Sequence, residues 1–118
     1  MMEYFKLEEF DSPDIPGSGA GMDWTMLQML DAARRLYGQP MIVNSGFRSV
    51  SHNAKVGGKS SSSHLTGYAA DISCKTSAER FNMILAFMRV GFTRVGVGSS
   101  FIHIDVDDSK APQVIWTY

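Results

Sequence analysis

The stretch Phe101-Ile102-His103-Ile104-Asp105-Val106 constrains this chain more than any other. Successive side chains of a β-strand point to opposite faces, so the segment sorts itself into two sets. Ile102, Ile104 and Val106 share one face and belong to the core. Phe101, His103 and Asp105 share the other, so a histidine and a carboxylate project together from a strand anchored at its back by branched apolar residues. A functional site needs support of that rigidity to hold its geometry. The plainer alternative is a surface strand carrying ordinary polar residues.

The elements around this strand follow from periodicity and punctuation. Residues 11–22 are dense in Pro and Gly and read as a loop, and Asp23 is a suitable N-cap for the segment after it. Apolar residues at Trp24, Leu27, Leu30, Ala33 and Tyr37 fall at helical spacing, and Gly38 and Pro40 stop the helix. Met41 to Asn44 reads as a short strand. Residues 50–63 combine Gly57-Gly58 with a run of four serines, a stretch that is either a linker or a functional, partly helical loop. Tyr68 to Ser73 reads as a strand. Thr76-Ser77-Ala78-Glu79 fits a capping box, and Phe81, Ile84, Leu85 and Met88 predict the buried face of a second helix. Phe92 to Val97 and Phe101 to Val106 form strands joined by a tight Gly98-Ser99-Ser100 connection, and Val114 to Tyr118 is an edge strand or a clasp. Hairpin-like succession with more strands than helices predicts an α+β fold, a mainly antiparallel sheet flanked by two or three helices. A length of 118 residues predicts a single domain over 1–118.

Bulk properties exclude several classes of function. Apolar residues make up 44 % and charged residues 19 %, a globular composition. The formal net charge is −1 and the longest basic run is Arg34–Arg35, so no footprint for nucleic acid is present. No stretch approaches the roughly 20 apolar residues that span a bilayer. The first ten residues lack the basic and apolar regions of a signal peptide, which predicts synthesis as a soluble cytoplasmic product; a monomer is expected. Cys74 is the single cysteine, cannot form an internal disulfide, and reads as a small buried hydrophobe.

The histidines are His52, His64 and His103. Gly67 permits a turn between His64 and Asp71, so a loop histidine can fold back over the strand bearing the aspartate. Two imidazoles and one carboxylate are good zinc ligands and leave a fourth position for water. On spacing alone, His-x6-Asp is a weak motif, and a structural histidine explains it better.

The run Ser62-Ser63-His64-Leu65-Thr66-Gly67-Tyr68-Ala69-Ala70-Asp71 resembles the Ser-x-His-x-x-Gly-x-Ala-x-Asp pattern of the zinc D-alanyl-D-alanine carboxypeptidase family. That family includes peptidoglycan L,D-endopeptidases and phage endolysins. Asn44-Ser45-Gly46-Phe47-Arg48-Ser49 is similar to its Ser-Gly-Tyr/Phe-Arg-Ser segment, His52 to Gly58 to a stretch of its smaller members, and Phe101 to Asp105 to the segment with its last metal histidine. Order and spacing agree from about Tyr4 to Val106.

The resemblance implies a hedgehog/D-Ala-D-Ala-peptidase-like fold with one Zn2+ at the sheet face, held by His64, Asp71 and His103. It implies that Arg48 contacts a substrate carboxylate or a developing oxyanion, and that Ser62 lies near the site as a substrate-binding residue. His52 is a loop or groove residue. The implied reaction is amide hydrolysis in peptidoglycan stem peptides or cross-links, by a carboxypeptidase or an endopeptidase. One departure stands out. Many members carry an acidic general base three residues before the last metal histidine, and here that place is Ser100. An unactivated hydroxyl cannot do that work. A subgroup resembling the small L,D-endopeptidases shares the Phe-x-His-x-Asp ending, which makes Asp105 either a substitute base or the partner that orients a ligand imidazole. Asp107 and Asp108 read as solvated turn residues. Rival readings are a catalytically degenerate zinc module that binds wall peptide and a metal-free interaction domain. A wall target for a protein without a signal peptide suggests release by a phage, or carriage in a virion.

Overall fold

A computed structural model describes residues 2–118. Helix α1 spans Trp24–Tyr37, and Asp23 caps it by accepting a hydrogen bond from the Met26 N–H. Strand β1 is Val43–Ser45, helix α2 Val50–Lys55 and strand β2 Ala69–Ser73. Helix α3 is Ser77–Arg89, opened by the Thr76–Glu79 capping box that its sequence predicts. Strands β3 (Arg94–Val97), β4 (Phe101–Asp105) and β5 (Val114–Thr117) complete the chain order, and two 3-10 turns, Leu7–Phe10 and Ser18–Gly21, precede α1.

The strands form one sheet in the order β1-β2-β4-β3-β5. Every pairing is antiparallel except β3 with β5, which run parallel. The expected α+β fold with a mainly antiparallel sheet and three helices is therefore observed. Helices α1 and α3 pack on each other, and α3 touches β4. Ile72, Val95, Ile102 and Ile104 are buried in the same core as Leu27, Leu30 and Phe87 of these helices. Each fully buried Ile or Leu side chain contributes about 1.5–3 kcal/mol relative to exposure. The opposite face of the sheet carries Asp71, Gly96, Phe101, His103 and Asp105, following the alternation along each strand.

Two expectations need correction, and one open alternative is decided. The buried side of α3 is Met83, Ala86 and Phe87, whereas Phe81, Leu85 and Met88 are exposed and Ile84 is partly buried. Apolar residues surround this helix, so spacing alone does not select the face that meets α1. Residues 50–63 follow the partly helical of their two readings: α2 forms at their start because Ser49 caps it, accepting from the His52 N–H at 3.1 Å. Asp107 is buried rather than solvated, accepting from the Ser63 hydroxyl at 2.7 Å and the Ser109 N–H at 3.1 Å.

Candidate metal centre

Strand register does the first half of the assembly. Asp71 on β2 lies directly across from His103 on β4, with both side chains on the face away from the helices. His103 Nδ1 and Asp71 Oδ1 are 3.0 Å apart. Four flanking residues, Ala70, Ile72, Ile102 and Ile104, are completely buried and fix the register from behind. A slip of either strand by one residue would turn its site residue into the core, an arrangement that burial forbids.

The second half comes from a loop. His64 sits between α2 and β2, and its Nε2 reaches Asp71 Oδ2 at 3.4 Å. Gly67 makes the return possible. Its φ is +78°, and a Cβ there would stand 2.1 Å from the Gly21 carbonyl oxygen. Any other residue would face both the left-handed strain and that collision. The main chain ties the loop further, through Arg48 N–H to His64 C=O at 3.1 Å and Asp23 N–H to Gly67 C=O at 3.0 Å.

His64, Asp71 and His103 each offer one ligand atom, and these atoms lie within 4.8 Å of one another. Each imidazole has its other nitrogen committed. His64 Nδ1 is 2.8 Å from the Gly46 carbonyl, so this nitrogen donates and Nε2 is left facing Asp71. His103 Nε2 is 2.7 Å from Asp105 Oδ2, which leaves Nδ1 facing Asp71. Outer partners of this kind fix the tautomer and aim of metal-binding histidines. A tetrahedral ion with bonds of about 2.1 Å spaces its donors about 3.4 Å apart. His64 is 3.4 Å from Asp71 Oδ2 and His103 3.0 Å from Asp71 Oδ1, and one donor atom from each of the three residues lies within 4.8 Å of the others, so the donor set fits such an ion once the side chains draw together around it.

Electrostatics favour a cation at the same point. Burial pushes the Asp71 carboxyl up, but hydrogen bonds with His103 and His64 outweigh it and hold the group far below the usual carboxylate range. Burial pushes the His103 imidazole down, yet the bonds to Asp105 and Asp71 carry it above its ordinary value. A buried carboxylate that stays ionised beside two imidazoles is a site where a divalent cation can take the place of protons.

The remaining residues singled out by sequence fall into distinct positions. Arg48 stands at the centre's edge: its guanidinium donates to Ser45 Oγ at 3.0 Å, Asn53 Oδ1 at 3.2 Å and Asp71 Oδ2 at 3.4 Å. Ser62 accepts from the His64 N–H at 3.2 Å and lines the same cleft. Asp105 lies behind His103. One of its oxygens holds His103, the other accepts from Arg94 Nε at 2.7 Å and the Asp107 N–H at 3.2 Å, and its side chain is only 1 % exposed. Of the two roles open to Asp105, these contacts match orientation of His103; no part of the carboxylate is free of protein partners. His52 is on α2, outside the metal-ligand cluster, and Ser100 is exposed at the β3–β4 turn. Cys74 is buried, its thiol raised by that burial, and stands apart from the cluster.

The cleft over the centre encloses about 560 Å³. Arg94, Lys110, Trp116 and Tyr118 line it, and the sequence reading missed all of them. Trp116 and Tyr118 alternate along the last strand, a signal that places them on one face. Which face, and beside which neighbour, depends on the parallel β3–β5 pairing, which local sequence does not specify.

Comparison with known proteins agrees with this geometry. The sequence model of the peptidase M15 family matches residues 4–105. A zinc D-Ala-D-Ala carboxypeptidase from Streptomyces albus G is 52 % identical over 44 residues, a segment covering 36 % of this chain and 17 % of that protein. This chain thus matches only a small part of that relative's length. The family match, by contrast, runs through every residue of the centre, from Arg48 to Asp105, and the chain belongs to the peptidase M15 family.

Proposed function

We propose that the protein is a zinc-dependent peptidase that hydrolyses an amide bond in the stem peptides or cross-links of peptidoglycan. The observation that carries this reading is the convergence of His64, Asp71 and His103 at an open cleft, each imidazole with one nitrogen engaged elsewhere and one turned to the same point. The family and the zinc enzyme matched over part of the chain support the metal and the substrate class.

His64, Asp71 and His103 would hold the ion. When bound, zinc supplies Lewis acidity toward a carbonyl and lowers the pKa of water to about 7. The protein's own groups do the rest. Gly46 and Asp105 keep the two imidazoles in the tautomers that binding needs, Asp105 by holding the proton on His103 Nε2. Arg48 is fixed by three hydrogen bonds beside Asp71, and its remaining N–H groups suit a substrate carboxylate or a developing oxyanion. Ser62 holds the turn that presents His64.

The test is mass spectrometry of purified muropeptides incubated with zinc-loaded protein. The expected result is two products whose masses add up to that of the substrate plus one water, from cleavage at a single amide, and the position of that amide separates a carboxypeptidase from an endopeptidase. Digestion that survives both a strong chelator and His64→Ala would remove the proposal. A second reading, a zinc-containing module that binds wall peptide without cutting it, draws on Ser100 standing where many relatives have an acidic base. Stoichiometric zinc and peptide binding without turnover on any muropeptide would select it. The resemblance to phage endolysins makes a lysis or wall-penetration role the biological setting we favour, and lysis of intact cells on external addition is its test.

A further inference from the structure

We infer that the last strand of the chain builds a substrate-binding wall beside the metal centre, one that selects acidic peptide by pairing an aromatic surface with a cationic one. The inference rests on the peptidase reading above and concerns residues beyond the family match, which ends at residue 105.

Strand β5 joins the sheet in parallel beside β3, with Trp116 opposite Gly96. Gly96 is also opposite His103 on the other side, so one short row crosses from the metal centre to Trp116. The glycine is required by space: a Cβ at position 96 would lie 2.7 Å from the indole. Trp116 consequently lies down over β3, with its ring centroid 5.5 Å from that of His103 and 5.0 Å from the Arg94 guanidinium carbon. Tyr118 continues the surface, 5.1 Å from Phe101 and 6.5 Å from Trp116 between ring centroids. Tyr118 is 71 % exposed, whereas Phe101 and Trp116 are only partly exposed.

The segment is fastened at a second point. Lys110 Nζ donates to the Ser61 carbonyl at 2.9 Å and to Ser63 Oγ at 2.8 Å, joining this C-terminal stretch to the loop that carries His64. The wall is therefore set in place by both halves of the site. Arg48 and Lys59 line the same cleft, and the lining as a whole carries four cationic side chains, Arg48, Lys59, Arg94 and Lys110, against the carboxylates of Asp71 and Asp105. A neutral peptide would gain only from the rings. A peptide with an aliphatic side chain against the rings and a free carboxylate toward Arg48 and Lys59 would use both surfaces.

Trp24 and Trp116 are the only tryptophans, so in a Trp24→Phe background the fluorescence reports Trp116 alone. Titration with a muropeptide bearing free carboxylates should shift that emission, and the same peptide with its carboxylates amidated should bind more weakly. Tyr118→Ala, at an exposed position, and Trp116→Leu should each raise KM and the apparent Kd roughly threefold to tenfold, with Trp116→Phe recovering part of the loss. Metal content should stay at the wild-type value in all three. Unchanged emission on titration, or unchanged KM and Kd in Tyr118→Ala and Trp116→Leu, would overturn the wall. If the wild type holds no metal and cuts nothing, the peptidase reading fails by itself, and the fluorescence titration still decides whether β5 binds peptide.

Discussion

The two halves of the metal centre are held by different physics. Asp71 and His103 ride on paired strands whose reverse side is solid hydrocarbon, with Ala70, Ile72, Ile102 and Ile104 fully buried. His64, Arg48 and Ser62 ride on the segment between β1 and β2, which is held by polar clips: His64 to the Gly46 carbonyl, Arg48 to Ser45 and Asn53, and Ser49 to Ser12 and Asp14. Nondirectional burial fixes the first half, and directional hydrogen bonds fix the second. A loop secured in this way can carry more polar, solvent-facing chemistry than a strand, but each clip is a separate point of failure.

That contrast can be broken by mutation. His64→Ala or Asp71→Ala removes a ligand from one half or the other, and either should abolish stoichiometric zinc binding and reduce peptide hydrolysis by at least about a thousandfold. Elemental analysis beside single-turnover assays checks both. An asymmetric result, with one variant still loaded and active, would mean that the halves do not share one ion. Ile104→Ala attacks the strand half from behind and should cost about 2–5 kcal/mol of global stability in denaturant titration. Asp105→Asn keeps the shape but weakens the grip on His103 Nε2, and zinc affinity should drop about 10- to 100-fold in competition with a chelator. A drop in turnover at unchanged zinc affinity would instead make Asp105 a participant in the chemistry.

The loop half should respond more mildly. Asn53→Ala deletes the acceptor for Arg48 Nη1 and the donor to the Lys59 carbonyl, and about 1–3 kcal/mol of stability should go with it. Zinc should remain bound, and KM should rise as Arg48 loses its brace. Ser49→Ala removes the cap of α2 and the bond to Asp14, an expected loss of about 1 kcal/mol by thermal or chemical melting. Were Asn53→Ala to unfold the protein as readily as Ile104→Ala, the distinction between the halves would fail.

The same division explains what the sequence made legible. Period-two alternation in Phe101–Asp105 placed His103 and Asp105 on the face opposite Ile102 and Ile104, where the structure has them. Helix α1 begins and ends at the residues its cap and stop signals predict. Alternation could not reveal that Asp71 and His103 are direct neighbours, because register between distant strands is a long-range property. Gly67 allowed His64 to fold back toward Asp71, but the resemblance was needed to join both to His103. On α3 the cap was readable and the buried face was not, since Phe81, Leu85 and Met88 mark one apolar side while Met83, Ala86 and Phe87 mark the one that packs. Asp107 looked like a turn residue because its partners, Ser63 and Lys110, are a loop away and a turn away. Arg94 and Trp116 escaped notice for a similar reason: their roles depend on β5 pairing in parallel beside β3.

X-ray absorption at the zinc edge of the loaded protein bears most directly on the centre itself. The account predicts one ion per chain with two imidazole nitrogens and oxygen ligands for the rest, and loss of an imidazole contribution in His103→Ala. A spectrum with fewer than two imidazoles in the wild type, or one that His103→Ala leaves unaltered, would contradict it.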